Sequence, residues 1–329
     1  LELDLPPIPL IASTQMHNST AQKVRFLEAV GFQRVILARE LSLEEIADIR
    51  QNTSRIELEA FVHGALCVSY SGQCYMSQAV AGRSGNRGVC AQPCRSHYTL
   101  TDGDGNIILQ NKFLLSLKDM NRMNAIPDLI AAGVTSFKIE GRYKGIEYVK
   151  NVTAAYRQAI DRFISGHPGY RKSSSGVSTF TFSPEPDRTF NRGYTQYFLS
   201  GGKEKVASPD TQKSIGQPVG EITGVGKDYF QIARLDLQNG DGLCFFTRKN
   251  DLAGFRVDRV DKGKIYPNNM KGLEIGAALY RNHDMALTRI LQKSSGVRRI
   301  AVEMDFQQED TLIRLTVRDE DGHEAGMFK

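Results

Sequence analysis

Between residues 8 and 163 the chain alternates short apolar runs with helix-period segments, and this alternation limits its fold more than any other feature. PLIAS (Pro9–Ser13), RVILA (Arg34–Ala38), IELEAFVHG (Ile56–Gly64), FLLSL (Phe113–Leu117) and SFKIE (Ser136–Glu140) read as strands, each a short apolar run. Helices separate them. The first carries Asn18 or Ser19 as N-cap, apolar residues at Ala21, Val24, Leu27 and Ala29, and Gly31 as its stop. SLEEIADIR opens with a capping box, Ser42 and Glu45. NAIPDLIAAG and a long helix from Ile146 to about Ile164 follow. Parallel neighbours need a crossover helix, so repeated βα units imply a parallel sheet covered by helices. Five such strands are too few to close an eight-stranded barrel. The expected fold class is α/β: the C-terminal part of a TIM-like β/α barrel over residues 1–165, with an open doubly wound sheet as the alternative. The chain opens at Leu1, directly on strand-like sequence, which reads as a piece of a longer protein.

The texture changes after residue 165. Residues 166–213 are rich in Gly, Ser and Pro at their start and read as a connector. Residues 214–285 show short strands and turns and predict a small all-β barrel. Residues 286–329 alternate around a turn and predict a β-hairpin that begins a further domain.

Four of the five cysteines fall in one Gly-rich stretch, spaced C-x6-C-x15-C-x3-C at Cys67, Cys74, Cys90 and Cys94. No secretory signal precedes them, so a disulfide scaffold is not expected; a cytoplasmic protein with a thiolate-bound centre is. Structural zinc sites pair their cysteines closely on both arms, and here only the second pair is close. Uneven spacing with thiolate-only ligands points to a 4Fe–4S cluster over zinc. Gly64, Gly72, Gly82, Gly85 and Gly88 let the backbone approach such a centre. Cys244, in an apolar strand context, reads as a buried structural thiol. No apolar run is long enough to span a membrane, and the formal charge of +5 is compatible with nucleic acid.

EAFVHGALCVSYSGQCYMS (Glu59–Ser77), ILARELSLEEI before it and SFKIEGRYKG after it closely resemble peptidase family U-32, the collagenase-like family. NRGYTQYFLSG and the VGEITGV segment are similar to the branch of that family that hydroxylates RNA, above all its long two-part members that modify a cytidine of 23S ribosomal RNA. The resemblance implies a TIM-like barrel, a 4Fe–4S cluster on the four cysteines, and oxygen-independent hydroxylation of a pyrimidine base with prephenate as hydroxyl donor. The family's older name implies a metal-dependent peptidase instead, although no HExxH or GxSxG motif is present. A zinc-bearing RNA-binding module is the non-enzymatic alternative.

His63 and Glu140 are the expected catalytic residues, because both sit at C-terminal strand ends, the active face of a β/α barrel. Arg39, Lys138 and Arg142 are the expected substrate-binding residues. A small dicarboxylate needs cationic partners, and Lys138 and Glu140 share a strand face by period two. Each has a structural alternative: a packed histidine, or arginine–glutamate ties between loops. Arg83, Arg87 and Arg95 surround the cysteines and suit RNA phosphate, cluster charge or plain solvation. Tyr70, Tyr75 and Tyr98 suit base stacking or loop packing. His17 and His97 read as structural.

Overall fold

A computed structural model describes residues 8–202, 204–233, 236–309 and 312–328. The first elements are β1 (Ile11–Ala12), α1 (Ala21–Val30), β2 (Arg34–Ile36), α2 (Leu43–Gln51) and β3 (Glu57–Ala65). Thr20, not Asn18 or Ser19, caps α1, accepting from the Lys23 amide. Asn18 is buried instead, and its Nδ2 donates to the carbonyls of Ser13 (2.8 Å) and Ile36 (2.9 Å), joining the ends of β1 and β2. The Ser42–Glu45 capping box is present on α2. Next come α3 (Met76–Ala81), β4 (Tyr98–Thr101), β5 (Ile107–Lys112), β6 (Asp119–Asn121), α4 (Ile126–Ala131), β7 (Val134–Ile139) and α5 (Ile146–Ser165).

β1, β2, β3 and β7 pair in parallel. Leu58, Ala60 and Val62 on β3 turn to the helices and bury against Val24, Leu27, Ile46, Ile49, Leu129 and Val152. The opposite face joins polar residues to a smaller apolar cluster that includes Ile36 and Phe61. Glu59 accepts from Arg34 Nη1 (3.3 Å) and Ser136 Oγ (2.9 Å), and Lys138 Nζ lies 3.7 Å from its other oxygen. The six-stranded sheet is open, and no closed β/α barrel forms among the described residues.

FLLSL is not a strand. It turns, with the Ser116 amide on the Phe113 carbonyl, and the strand is β6, antiparallel to β3 with His63 opposite Asn121. The reason is topological. The chain leaves the C-terminal end of β3, makes the cysteine loop and the β4–β5 hairpin, and returns to the same end. Without a crossover helix to carry it to the far edge, it re-enters reversed.

The segment read as a connector is packed. It holds β8 (Val177–Phe180) and β9 (Tyr194–Thr195), and β9 pairs with β6 in parallel. The small barrel is closed and antiparallel: β10 (Gln217–Val225), β11 (Phe230–Ile232), β12 (Gly242–Phe246), β13 (Leu252–Asp261), β14 (Lys264–Pro267) and β15 (Ala278–His283) join in the order β10-β11-β14-β13-β12-β15. Val219, Ile222, Phe230, Leu243, Val257, Ile265 and Leu279 fill it. After it come α6 (Met285–Leu291), β16 (Gly296–Arg299), which pairs with β8, and a meander of β17 (Val302–Glu309), β18 (Leu312–Asp319) and β19 (Glu324–Phe328). The expected hairpin thus has a third strand. Among the described residues no helix is long and apolar enough to cross a membrane.

Candidate functional site

The site starts where β3 meets β7. Gly64 has φ +106°, and a Cβ there would stand 2.1 Å from the Glu140 carbonyl oxygen. A side chain would hold the two strand ends apart. With none, the Glu140 amide donates to the His63 carbonyl (2.8 Å), and Glu140 reaches the start of the cysteine loop. The loop is then fixed at several points. Glu40 accepts from the Ser71 amide (2.8 Å) and hydroxyl (2.9 Å). Gly72 passes so close to the Gln15 carbonyl that a Cβ would stand 2.1 Å from it. Buried Ser77 donates to the Arg83 carbonyl (2.5 Å) and accepts from the Ala91 amide (2.9 Å), closing the middle of the loop. Arg95 donates to Ser116 Oγ (2.6 Å) and to the carbonyls of Leu117 (2.9 Å) and Leu66 (3.1 Å), so it pins the second cysteine pair to the end of β3.

The result is a cavity of about 560 Å³ lined by Cys67, Cys74, Cys90 and Cys94 together with Arg39, Arg95, Glu140, Arg142, Lys144 and Arg192. Burial pushes the Cys67 and Cys94 thiols up; the other cysteines add to this, while Arg39 pulls Cys67 back and Arg95 pulls Cys94 back. These two thiols are poor nucleophiles at neutral pH, and a cationic centre beside them would favour their thiolate form. All four thiols line this one cavity, and a thiolate-only donor set with uneven spacing fits a cluster.

Around the thiols the charge is mostly positive. The Arg39 guanidinium stacks 4.2 Å from the Phe61 ring centroid, and its buried Nε has no partner. Arg142 donates through Nη1 to the Gly88 carbonyl (3.0 Å), tying β7's exit to the cysteine loop. Among the described residues neither guanidinium forms a salt bridge with a carboxylate, and both line the cavity. Arg192 instead grips buried Asp119, at 2.8 Å from Nη1 and 2.8 Å from its own amide. Burial raises the Asp119 carboxyl above its ordinary range despite Arg192, Lys144 and Arg95. Lys144 lies 3.0 Å from the Phe190 ring centroid, and burial pulls it down to about 8.

Two expected site residues lie elsewhere. His63 does not line the cavity. The register of β3 against β7 shifts between Phe61 and His63, and the imidazole packs among Tyr148, Tyr156 and Tyr194, with Nδ1 3.3 Å from the Tyr156 hydroxyl. Burial lowers it to about 3, so near pH 7 it is neutral and does not act as a cationic acid. Lys138 stands opposite Phe61, pairs with Glu59 on the sheet face away from the helices and is separated from Glu140 by the strand's end. Arg39, Glu140 and Arg142 do meet the cysteines in one cavity. Lys144 and Arg192 were missed. Lys144 sits in the same KIEGRYKG stretch as Arg142, whereas Arg192 lies in NRGYTQYFLSG, within the segment read as a connector, where the family resemblance was the signal that could have found it.

The chain matches the model of the family described as "Peptidase family U32" over residues 1–208. It is 44% identical over 332 residues to the 23S rRNA 5-hydroxycytidine C2501 synthase of Escherichia coli (strain K12), covering 98% of this chain and 50% of that protein. It is 34% identical to tRNA hydroxylation protein P1 of Bacillus subtilis (strain 168), over 80% of this chain and 69% of that one. It is 33% identical to a collagenase of Porphyromonas gingivalis (strain ATCC BAA-308 / W83), over 70% of this chain and 59% of that one. The chain thus spans about half the length of the first of these relatives. No solved structure matches it. On the family match and these identities, the chain belongs to peptidase family U32.

Proposed function

We propose that the chain carries the reaction centre of an RNA hydroxylase, acting on a pyrimidine base, a cytidine of 23S ribosomal RNA above all, in the cytoplasm. The observation that carries this reading is the cavity: four thiols and a surplus of cations line it together. Its 44% identity to a 5-hydroxycytidine synthase supplies the substrate class. Cys67, Cys74, Cys90 and Cys94 would hold a 4Fe–4S cluster, which supplies one-electron chemistry when bound. Arg39, Arg142 and Lys144 would bind an anionic hydroxyl donor, with the dicarboxylate prephenate as the candidate, because none of the three is in a salt bridge among the described residues and such cations recognise carboxylates. Glu140, through its side chain, accepts from the Arg142 amide (2.9 Å) and so orients the loop that carries this arginine. The unreversed order β1-β2-β3-β7, with helices on one face, supports reading the sheet as a sector of a β/α barrel. The test is anaerobic reconstitution with iron and sulfide, followed by incubation with ribosomal RNA and prephenate. Donor-dependent 5-hydroxycytidine in the digested RNA is the expected product. Gelatin cleavage in its place would favour the peptidase that the Porphyromonas relative's name suggests.

Two predictions arise here. Arg142→Ala should raise the donor's half-saturation roughly ten- to hundredfold, the effect of losing a contact of about 1.5–3 kcal/mol. Arg142→Lys should recover only part, because a point charge lacks the guanidinium fork. If Arg142→Ala lowers the melting temperature and leaves half-saturation unchanged, the residue is only a tie to Gly88.

The second concerns pH. An anion favours charged Lys144, so binding draws a proton onto it. Donor affinity should be level at lower pH and weaken as pH rises through about 8. Lys144→Gln should flatten that profile. Folding has the opposite sign: a lysine lowered to about 8 opposes the folded state fully below that value. Stability should therefore increase with pH between that point and the unfolded lysine value of about 10.4.

A further inference from the structure

Tyr143 does not look like a loop residue without a task. Its φ is +61°, a conformation rare and strained for a bulky side chain, and strain of that kind persists where the surroundings enforce it. Its ring is 81% exposed, the most exposed aromatic side chain among the described residues, yet it lines the same cavity as the four cysteines. One neighbour braces it. The Arg142 guanidinium lies 5.0 Å from the ring centroid, and Arg142 Nη2 donates to the phenol oxygen (3.3 Å). Arg142 is itself held to the Gly88 carbonyl, so the ring is anchored to the cysteine loop through that one side chain. Tyr70, 67% exposed, lines the same cavity and meets the His17 ring edge-on at 6.2 Å.

We propose that Tyr143 is a stacking platform for an unpaired nucleobase, with Tyr70 as a second aromatic wall, so that the substrate enters as a single extruded nucleotide and not as duplex. The inference rests on the RNA reading above and adds to it a recognition element and a substrate form. Water gains little from an exposed ring held in strain, while a base gains a flat, polarised partner: every base has a π face, and a guanidinium behind the ring stiffens it. The cavity volume of about 560 Å³ suits one nucleotide-sized body and excludes a helix. Arg192 and Lys213 line it and suit the phosphate of the extruded nucleotide.

The experiment measures binding of the whole chain to a labelled short single-stranded RNA containing cytidine, and to the same sequence fully paired, by fluorescence anisotropy. Single-stranded RNA should bind more tightly than duplex. Tyr143→Ala should raise the dissociation constant roughly five- to hundredfold. Tyr143→Phe keeps the ring and should stay within about twofold of the unaltered chain. Tyr143→Gly separates recognition from folding: glycine takes positive φ without strain, so the melting temperature should hold or rise while binding falls as for alanine. The salt dependence should not change with Tyr143→Ala, because no phosphate contact is lost. Equal binding by Tyr143→Ala and the unaltered chain overturns the platform and leaves the RNA reading standing. Failure of the unaltered chain to bind either RNA, or preference for duplex, overturns the platform, and failure with both counts against the RNA reading too.

Discussion

Cys90→Ser, prepared anaerobically with iron and sulfide, should lose most of its bound iron, while Cys244→Ser should keep it. Cys90 lines the cavity with the other three thiols, and its Sγ accepts from the Gln92 amide (3.2 Å). A hydroxyl is a poor ligand for a site built on soft thiolates. Cys244 lies in β12, opposite Gly254 and Tyr280, and its Sγ donates to the Ile215 carbonyl (3.4 Å); burial raises it to about 12, so it stays a thiol. Metal binding to the folded chain adds to its stability. Cys90→Ser should therefore lower the melting temperature of the iron-loaded protein far more than that of the metal-free protein. The checks are iron and acid-labile sulfide quantification beside the visible absorbance. Equal iron in the two variants would remove the cluster from these four residues, and bound zinc without iron would replace it.

Gly64→Ala should be among the most damaging single-methyl changes in the chain, and Gly31→Ala provides its control. Both glycines have φ +106°. At Gly31, the C-cap of α1, an added Cβ meets nothing within 4 Å, so the change carries only backbone strain, about 1–2 kcal/mol. At Gly64 the same methyl would stand 2.1 Å from the Glu140 carbonyl oxygen and 3.0 Å from its carbon. Backbone cannot rotate out of the way. Relief requires β3 and β7 to separate where the Glu140 amide bonds the His63 carbonyl. The expected loss is about 4 kcal/mol or more, the range of exceptional single substitutions. Chemical denaturation of the two variants in parallel measures the difference. Similar losses would mean that β3 and β7 do not approach as closely as the geometry requires.

Much of the fold was legible in the sequence. Period and punctuation located β1, β2, β3, β7, α2, α5 and the small barrel, because each is decided within a few residues by burial pattern, caps and turns. FLLSL misled because a run of apolar residues reports burial, not conformation. Leu117 is buried among Ile36, Phe61, Met120 and Tyr197 while its neighbours turn. The candidate site was legible in proportion to its sequence locality. Four cysteines crowded into one loop, and Glu140 and Arg142 two residues apart, stood out before any fold was known.

His63 shows the limit. A residue at the end of a strand has two faces to choose from, and alternation assigns the face only while the register runs unbroken. The shift between Phe61 and His63 sends the imidazole among tyrosines and away from the thiols. Lys138 lies away from the cavity for a related reason: Glu59, far off in sequence, stands beside it across the sheet. Arg192 and Asp119 lie in different segments, and their pairing depends on β9 docking on β6. The sequence by itself determined most of the βα elements, where the thiols cluster and that the chain belongs with the U32 peptidases, since local propensity and ligand chemistry are properties of residue type and spacing. Only the tertiary structure decided which cations face those thiols, because a charge's partner is set by the register and packing of strands far apart in the chain, and one shifted residue reverses the direction in which a side chain points.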